Sequence, residues 1–379
     1  MEIRELSRID AIPAANWNRL EGADCPFLRH EFLAALEHNG CVGPGTGWMP
    51  AHLALFEDDV LQAAAPVYRK SHSWGEFVFD FGWAQAYERR GLSYYPKRVV
   101  AVPFSPVNAA RLLTAPGRPP EPLRQALITA LAGRCGPEAD SSAHALFISE
   151  AERASFEQAG WLTRSDVQFH WRNRGYGSFE DYLATMRSEK RKQLRRERRR
   201  VAEDGISYLT LHGHDITPAQ LHFAFEAHRN TFHQHGHPPY LNQACFEEIA
   251  ARLGEALMVK LAMRGDTPVA VAIFLVGDDT LYGRYWGAAG NYHSLHFETC
   301  YHQGIEYCIE RGISRFESGA QGEHKVARGF APATTWSMHW IVDPRFRTAI
   351  AEYLQREGED RDDYERYIAS HVPYRNKAR

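Results

Sequence analysis

Six polar side chains suited to acid–base or anion chemistry fall within the stretch FESGAQGEHKVARGF (316–330): Glu317, Gln321, Glu323, His324, Lys325 and Arg328. Glycines 319, 322 and 329 let the backbone turn tightly and approach a ligand. Lys325 and Arg328 share a face if the segment is helical. Together they can hold an anion or stabilise charge developing on an attacked carbonyl. Glu317, Glu323 and His324, in that order, are the candidate bases for an amine nucleophile. Gln321 and Arg328 are candidate substrate ligands. A structural network of ion pairs would have the same composition.

A second concentration of chemistry is MRSEKRKQLRRERRRVAEDG (186–205). Between Arg187 and Arg200 nine cations face only Glu189 and Glu197, and no proline interrupts. The spacing predicts a helix over 188–203 with Ser188 as its N-cap and Leu194 and Val201 as a thin docking face. The bland reading is a solvated helix whose arginines pair with acidic neighbours. The functional reading is a polyanion site, because the planar arginine fork suits phosphate oxygens. Lys190, Arg191, Arg195, Arg196 and Arg199 are its candidate contacts. Aromatic residues are missing inside the helix, so phosphate contact without base reading is the expected mode.

Other candidates carry less. HQHGHPP offers His233, His235 and His237, but no carboxylate has ligand spacing, so no metal is expected. Glu298 and His302 lie four apart and make no zincin pattern; an ordinary helix pair is favoured. QFHWRN alternates Gln168, His170 and Arg172 on one face of a strand, which makes His170 and Arg172 candidate cleft residues. RYWG sets Arg284 and Trp286 opposite Tyr285, and Tyr285 and Trp286 are candidate substrate contacts or plain core. SHSWGEFVFDFGWAQAYERRG holds His72, Glu76, Asp80 and Tyr87, lacks a GxSxG elbow, and reads as the wall of an acceptor pocket.

The elements that must position these groups read as mixed α/β. HEFLAALEHNG is an amphipathic helix closed by Asn39 and Gly40. Residues 51–70 form two apolar runs around the acidic turn Glu57-Asp58-Asp59, a hairpin pattern. RVVAVPFSP is a strand broken at its prolines, EPLRQALITALAGRCG a helix, and AHALFISE a short strand. The second half repeats this order: three strands over 256–287, the helix HFETCYHQGIEYCIERG ending at Gly312, and the strand RFESGA. TTWSMHWIV then alternates as a strand, and a last helix starts near Arg345. The match between residues 53–70 and 261–279 suggests a duplication, with two unrelated α/β halves as the alternative. A boundary falls near 160–180.

The chain of 379 residues is 44% apolar with formal net charge −3, enough for two domains and without a global field to select partners. No apolar run is long enough to span a bilayer. Its N-terminus lacks the regions of a signal peptide, and its six cysteines form no CxxC pair. These features predict reduced thiols and a cytoplasmic protein.

Taken with PFLRHEFLAALE, YYPKRVVAVPFSPV, KRKQLRRERRRV, LYGRYWGA and LHFETCYHQGIEYCIERG, the motif RFESGAQGEHKVARGFAP resembles FemAB-like predicted N-acyltransferases of the GNAT superfamily. The resemblance runs from about residue 25 to 374. It implies two GNAT-like modules, each with a mixed, mainly antiparallel sheet flanked by helices; we place them at 1–165 and 166–379. It implies transfer of an acyl or aminoacyl group to a small-molecule or peptide amine. No permanently bound cofactor is expected. The donor would be aminoacyl-tRNA or a thioester on CoA or a carrier protein. In that family a lysine of the C-terminal motif is associated with the reaction site, a role that falls on Lys325. The RYWG strand would lie beside the donor carbonyl. RYWGAAGNYHSLHFE is the region that corresponds to the (Q/R)xxGx(G/A) pyrophosphate loop of CoA-dependent relatives, and Gly287 and Gly290 are present in it. A noncatalytic RNA- or cell-wall-precursor-binding protein on a degenerate GNAT scaffold is the alternative.

Overall fold

Asp58 and Asp59 both adopt left-handed backbone (φ 49° and 60°) and close the expected hairpin between His52–Glu57 and Val60–Ala65. Short polar side chains tolerate this region best. A computed structural model describes residues 1–375 apart from 235, 291, 320 and 321. It divides into two units, Met1–Asp166 with Thr334–Asp363, and Val167–Ala333 with the residues from 364 onward.

The first unit contains β1 (Glu2–Leu6), β2 (Trp48–Pro50), β3 (His52–Glu57), β4 (Val60–Ala65), β5 (Val67–Lys70), β6 (Lys97–Val100), β7 (Leu113–Thr114) and β8 (Ser142–Ile148). Strands β1, β3, β4 and β7 form one antiparallel sheet. Strands β2, β5, β6 and β8 belong to another, in which only β6 and β8 run parallel. The apolar run after the hairpin therefore does not stay in one sheet. Pro66 separates β4 from β5, and a proline without an N–H is suited to such a break. Helices α1 (Ala14–Asn18), α2 (His30–His38), α3 (Phe81–Glu88), α4 (Pro120–Ala132) and α5 (Glu150–Gln158) flank these strands in sequence. Leu127 and Leu131 of α4 and Phe156 of α5 are buried with Leu53, Val67 and Val100.

The second unit takes β9 (Leu162–Arg172) from Val167 onward, then α6 (Phe179–Ala184), α7 (Ser188–Glu203), β10 (Ile206–His212), α8 (Pro218–Gln234) and α9 (Gln243–Leu253). Strands β11 (Leu257–Arg264), β12 (Thr267–Val276) and β13 (Thr280–Ala288) follow. The sheet order is β10-β11-β12-β13-β14-β9, where β14 is Arg315–Glu317. All pairs are antiparallel except β13 with β14. The α+β class read from the sequence is thus present in both units. The helix expected after β13 is composite. It comprises α10 (Leu295–Phe297), a π turn (Glu298–His302) and α11 (Gln303–Arg311), and ends at Gly312 in the left-handed region (φ 68°). Strand β15 (Ala331–Ile341) returns the chain to the first unit and pairs antiparallel with β8. Its Met338 enters the same core as Leu127, while His339 on the opposite face is equally buried. Helix α12 (Pro344–Ser370) follows.

Gly287 of β13 lets that strand meet α8 closely, since a Cβ there would lie 2.1 Å from the Ala227 carbonyl carbon. Backbone cannot yield as a side-chain tip can. Gly287→Ala should lower the unfolding free energy by about 2–3 kcal/mol, read as a fall in urea midpoint at unchanged m.

Candidate functional site

The glycine-rich segment is built on β14, an interior strand of its sheet. Its Glu317 lies opposite His170 of β9 in register. Glu317 Oε1 is 4.0 Å from His170 Nδ1 and 3.5 Å from Arg315 Nε. Burial, with Arg315, Arg172 and Lys325 nearby, pushes the His170 imidazole down to about 3, so it is neutral at physiological pH. His170 Nε2 lies 3.2 Å from Gln168 Oε1, and Arg172 is exposed. Gln321 lies outside the described residues.

Residues Glu323–Arg328 form a short 3₁₀ helix between Gly322 (φ 119°) and Gly329 (φ 83°). Gly329 is required by contact as well as by conformation. A Cβ there would meet the Tyr182 hydroxyl at 2.1 Å. The Tyr182 hydroxyl donates to the Arg328 carbonyl and the Tyr374 hydroxyl to the Gly329 carbonyl, each at 2.5 Å. The turn is therefore clamped from two sides. Within it, Glu323 and His324 are exposed and Lys325 and Arg328 are buried. Tyr364 donates to Glu323 Oε1 at 2.7 Å. His324 Nε2 lies 2.9 Å from the Tyr301 hydroxyl, and burial, Lys325 and Arg328 together lower its pKa.

Lys325 is only 2% exposed, and its Nζ donates to the Gly319 carbonyl at 2.9 Å. No carboxylate pairs with it among the described residues. Burial pushes its ammonium down to about 7, with the Cys300 thiol working weakly the other way. A lysine in this state exchanges a proton at neutral pH.

Arg328 has a different situation. Its Nη2 donates to Glu197 Oε1 of α7 at 2.8 Å, its Nη1 donates to the His324 carbonyl, and its guanidinium lies 3.4 Å over the Phe297 ring. His302 Nε2 is 3.6 Å from the other Glu197 oxygen, and His302 Nδ1 is 2.9 Å from Glu298 Oε2. The π turn sets Glu298, His302 and Gln303 inward together, so the expected Glu298–His302 pair is one link of a larger buried network.

The basic helix α7 starts with Arg187 at the N-cap and Ser188 already helical, so Ser188 does not fill the capping position expected of it. Its inward face is Leu194, Glu197 and Val201. The acidic member was not legible as a docking residue, since its partner is distant in sequence. Arg198 also turns inward, to Glu298 at 3.2 Å and Glu306 at 2.7 Å. Arg195 pairs with Glu180 at the surface, Lys190 contacts Gln193, and Arg191 lies near the Met186 carbonyl. Arg199 is exposed. Arg196 and Arg200 instead line a cavity of about 570 Å³ with Ser294, His324 and Arg328. Arg200 Nη1 lies 2.6 Å from His293 Nε2.

That cavity shares Tyr292 and His293 with a larger one of about 1150 Å³, which in turn shares Trp286 and His296 with a small one of about 120 Å³. The small cavity opens where the β12–β13 register shifts between Ile273 and Phe274, with Cys300, Tyr301 and Ser318 on its wall. Such a bulge bends a strand and re-aims its side chains. Tyr285 and Trp286 both line it; Tyr285 also packs against His228 and Phe246. Burial lowers His296 to about 4, so it faces these cavities uncharged. Arg200, His293 and His296 were not singled out from the sequence. The four-residue spacing of Arg196 and Arg200 was the available signal, and it was masked by seven neighbouring cations. His233 lines the larger cavity, His235 is outside the described residues, and no metal-binding cluster occurs among the described residues.

Residues 8–376 match the FemAB_like family, described as peptidoglycan biosynthesis/recognition. The chain belongs to this family. Among solved structures it is similar to FemX, with 10% identity, TM-score 0.55, and 93% and 100% of the two chains covered. It is also similar to the C-terminal domain of a putative lysylphosphatidylglycerol synthetase from Agrobacterium fabrum: 10% identity, TM-score 0.53, coverage 91% and 94%. A third is L-PGS from Bacillus licheniformis: 9% identity, TM-score 0.51, coverage 86% and 95%. At these identities the likeness establishes the FemAB-like fold. No curated protein matches the sequence.

Removing one partner of a buried ion pair leaves the other uncompensated. Arg328→Leu should therefore cost about 3 kcal/mol in urea unfolding, whereas Arg195→Ala, at an exposed pair, should leave the urea midpoint nearly unchanged.

Proposed function

We propose that this FemAB-like protein is an N-acyltransferase that moves an aminoacyl group from a phosphate-bearing donor, aminoacyl-tRNA, to the amine of a small-molecule or peptide acceptor. The observation that carries this reading is the run of three adjoining cavities. It begins at Arg196 and Arg200 and ends at the β12–β13 bulge, beside the segment that holds Lys325. Two arginines at one end suit a polyanion. A small cavity at the other, lined mainly by apolar and aromatic residues with Arg284 among them, suits an acyl or aminoacyl carbonyl. An acyl thioester on CoA would use the same two ends, and Arg284, Gly287 and Ala289 fit the (Q/R)xxGx(G/A) pattern of CoA-dependent relatives, so it stands as the second donor reading.

In the reaction the acceptor nitrogen attacks the donor carbonyl carbon. A C–N bond forms, and the carbonyl electrons move onto oxygen. Neutral Lys325 takes the proton from the attacking amine and becomes an ammonium as the oxyanion appears. Charge is thus supplied at the transition state rather than in the ground state. Collapse breaks the C–O bond to the donor hydroxyl, which recovers the proton from Lys325. Arg328 holds the turn through Glu197. FemX and the C-terminal domain of the putative lysylphosphatidylglycerol synthetase share this fold, and the name of the latter denotes joining a lysyl group to phosphatidylglycerol.

The pH profile tests the role of Lys325. Its neutral form is the active one, so kcat should rise as pH passes about 7 and then level off. A fall across the same interval would assign Lys325 as a preformed cation. Lys325→Met should lower kcat by about 10²–10⁴-fold with little change in acceptor KM. Binding of charged and uncharged tRNA at two salt concentrations tests the donor. Tighter binding of charged tRNA, with a log–log salt slope reduced by about 2 in the Arg196→Ala/Arg200→Ala variant, is expected. Equal binding of both would favour a noncatalytic RNA-binding protein.

A further inference from the structure

The first unit carries an inverted loop. Between β5 and α3 the carboxylates point inward and the aromatics point outward. Glu76 and Asp80 are buried, as is Lys97 of β6, whose Nζ donates to Glu76 Oε2 at 2.8 Å, to Ser73 Oγ at 2.9 Å and to Asp80 Oδ2. The Tyr94 hydroxyl donates to the same Asp80 oxygen at 2.6 Å. Lys70 Nζ, also buried, donates to the Trp74 carbonyl at 3.2 Å, and Trp48 Nε1 donates to that carbonyl at 3.1 Å. The loop backbone is thus tied down from beneath at both ends.

Its outer surface is apolar. Trp74 is 65% exposed and Phe79 58%, and Phe81 links them, with ring centroids 5.4 Å from Trp74 and 6.3 Å from Phe79. Phe77 and Val78 are half-buried between them in sequence. A solvated loop would do the reverse, because turning carboxylates inward carries a desolvation cost. A rigid cluster of exposed aromatic rings marks an interaction surface.

We propose that loop 74–81 is a docking surface for an anionic lipid bilayer: Trp74, Phe79 and Phe81 enter the headgroup boundary, and Arg89 and Arg90 meet lipid phosphates. Tryptophan and phenylalanine are suited to that depth, and the loop's own carboxylates, Glu76 and Asp80, are buried away from anionic headgroups. Arg89 and Arg90 are exposed at the C-terminal end of α3, about 12 Å along the helix from Phe81, and form no ion pair among the described residues. Among the described residues no helix is long and apolar enough to cross a membrane, and the association proposed is peripheral. A sugar ligand would need outward-facing hydrogen-bonding groups beside the rings, and the carboxylates and lysines of this loop are turned away.

The test is sedimentation of the full chain with vesicles of mixed phosphatidylglycerol and phosphatidylcholine, against phosphatidylcholine alone. The wild type should partition to the anionic vesicles, and brominated acyl chains should quench a component of its tryptophan emission that Trp74→Phe lacks although that variant still binds, whereas Trp74→Ser should lose both the component and affinity. Trp74→Ser/Phe79→Ser alters only exposed side chains and should bind about tenfold or more weakly. Arg89→Ala/Arg90→Ala should lose the preference for anionic lipid. Wild-type protein left in the supernatant with both vesicle types would overturn the proposal, as would unchanged binding by the folded serine variant. Self-association in solution that the serine variant abolishes, without vesicle binding, would assign the surface to a second copy and equally overturn it.

Discussion

The buried pair between Glu197 and Arg328 is the constraint on which the second unit's site depends. Glu197 sits mid-way along the basic helix, and Arg328 ends the turn that carries Lys325. Neither charge has solvent to fall back on, so each fixes the other, and His302 and Glu298 of the π turn extend the contact. Three segments far apart in sequence are thereby held in one arrangement. An apolar pair of similar volume would pack as well, but would not fix which helical face turns inward.

The two lysine environments show how burial and partnership decide chemistry. Lys97 of the first unit is fully buried beside Glu76 and Asp80, and although burial disfavours its charge, the two carboxylates outweigh that and raise its pKa. Lys325 is nearly as buried without a carboxylate partner, and its pKa falls to about 7. The first is a fixed cation that organises a loop. The second has only a backbone carbonyl to hold its charge. The same side chain, placed in two kinds of site, serves structure in one and is suited to reaction in the other.

Much of the local structure was legible. The 57–59 turn, the helix ending at Gly312 and the amphipathic runs carry their signals within a few residues of one another, so neighbouring side chains and backbone preferences suffice. The glycine-rich segment was recognisable as a ligand loop for the same reason: its composition suits neither core nor ordinary turn. Its division of labour was not legible. Lys325 and Arg328 look equivalent in sequence, yet one meets a backbone carbonyl and the other a carboxylate from residue 197. On the basic helix, Arg195, Arg196 and Arg198 are interchangeable by composition. Only the neighbouring elements separate a surface pair, a cavity lining and a half-buried fork.

The sequence by itself determined the α+β class, the positions of most helices and strands, the FemAB-like family and the two concentrations of functional groups, because all of these follow from periodicity, turn chemistry and motif. Tertiary structure decided the rest. It assigned residues 334–363 to the first unit, switched sheets at Pro66, inserted the π turn at 298–302, and opened the β12–β13 bulge. It also turned Glu76, Asp80 and Glu197 inward. The physical reason is common to these cases. Burial of a charge or a bend in a strand is settled by a partner many residues away, and its sign depends on what solvent that partner excludes.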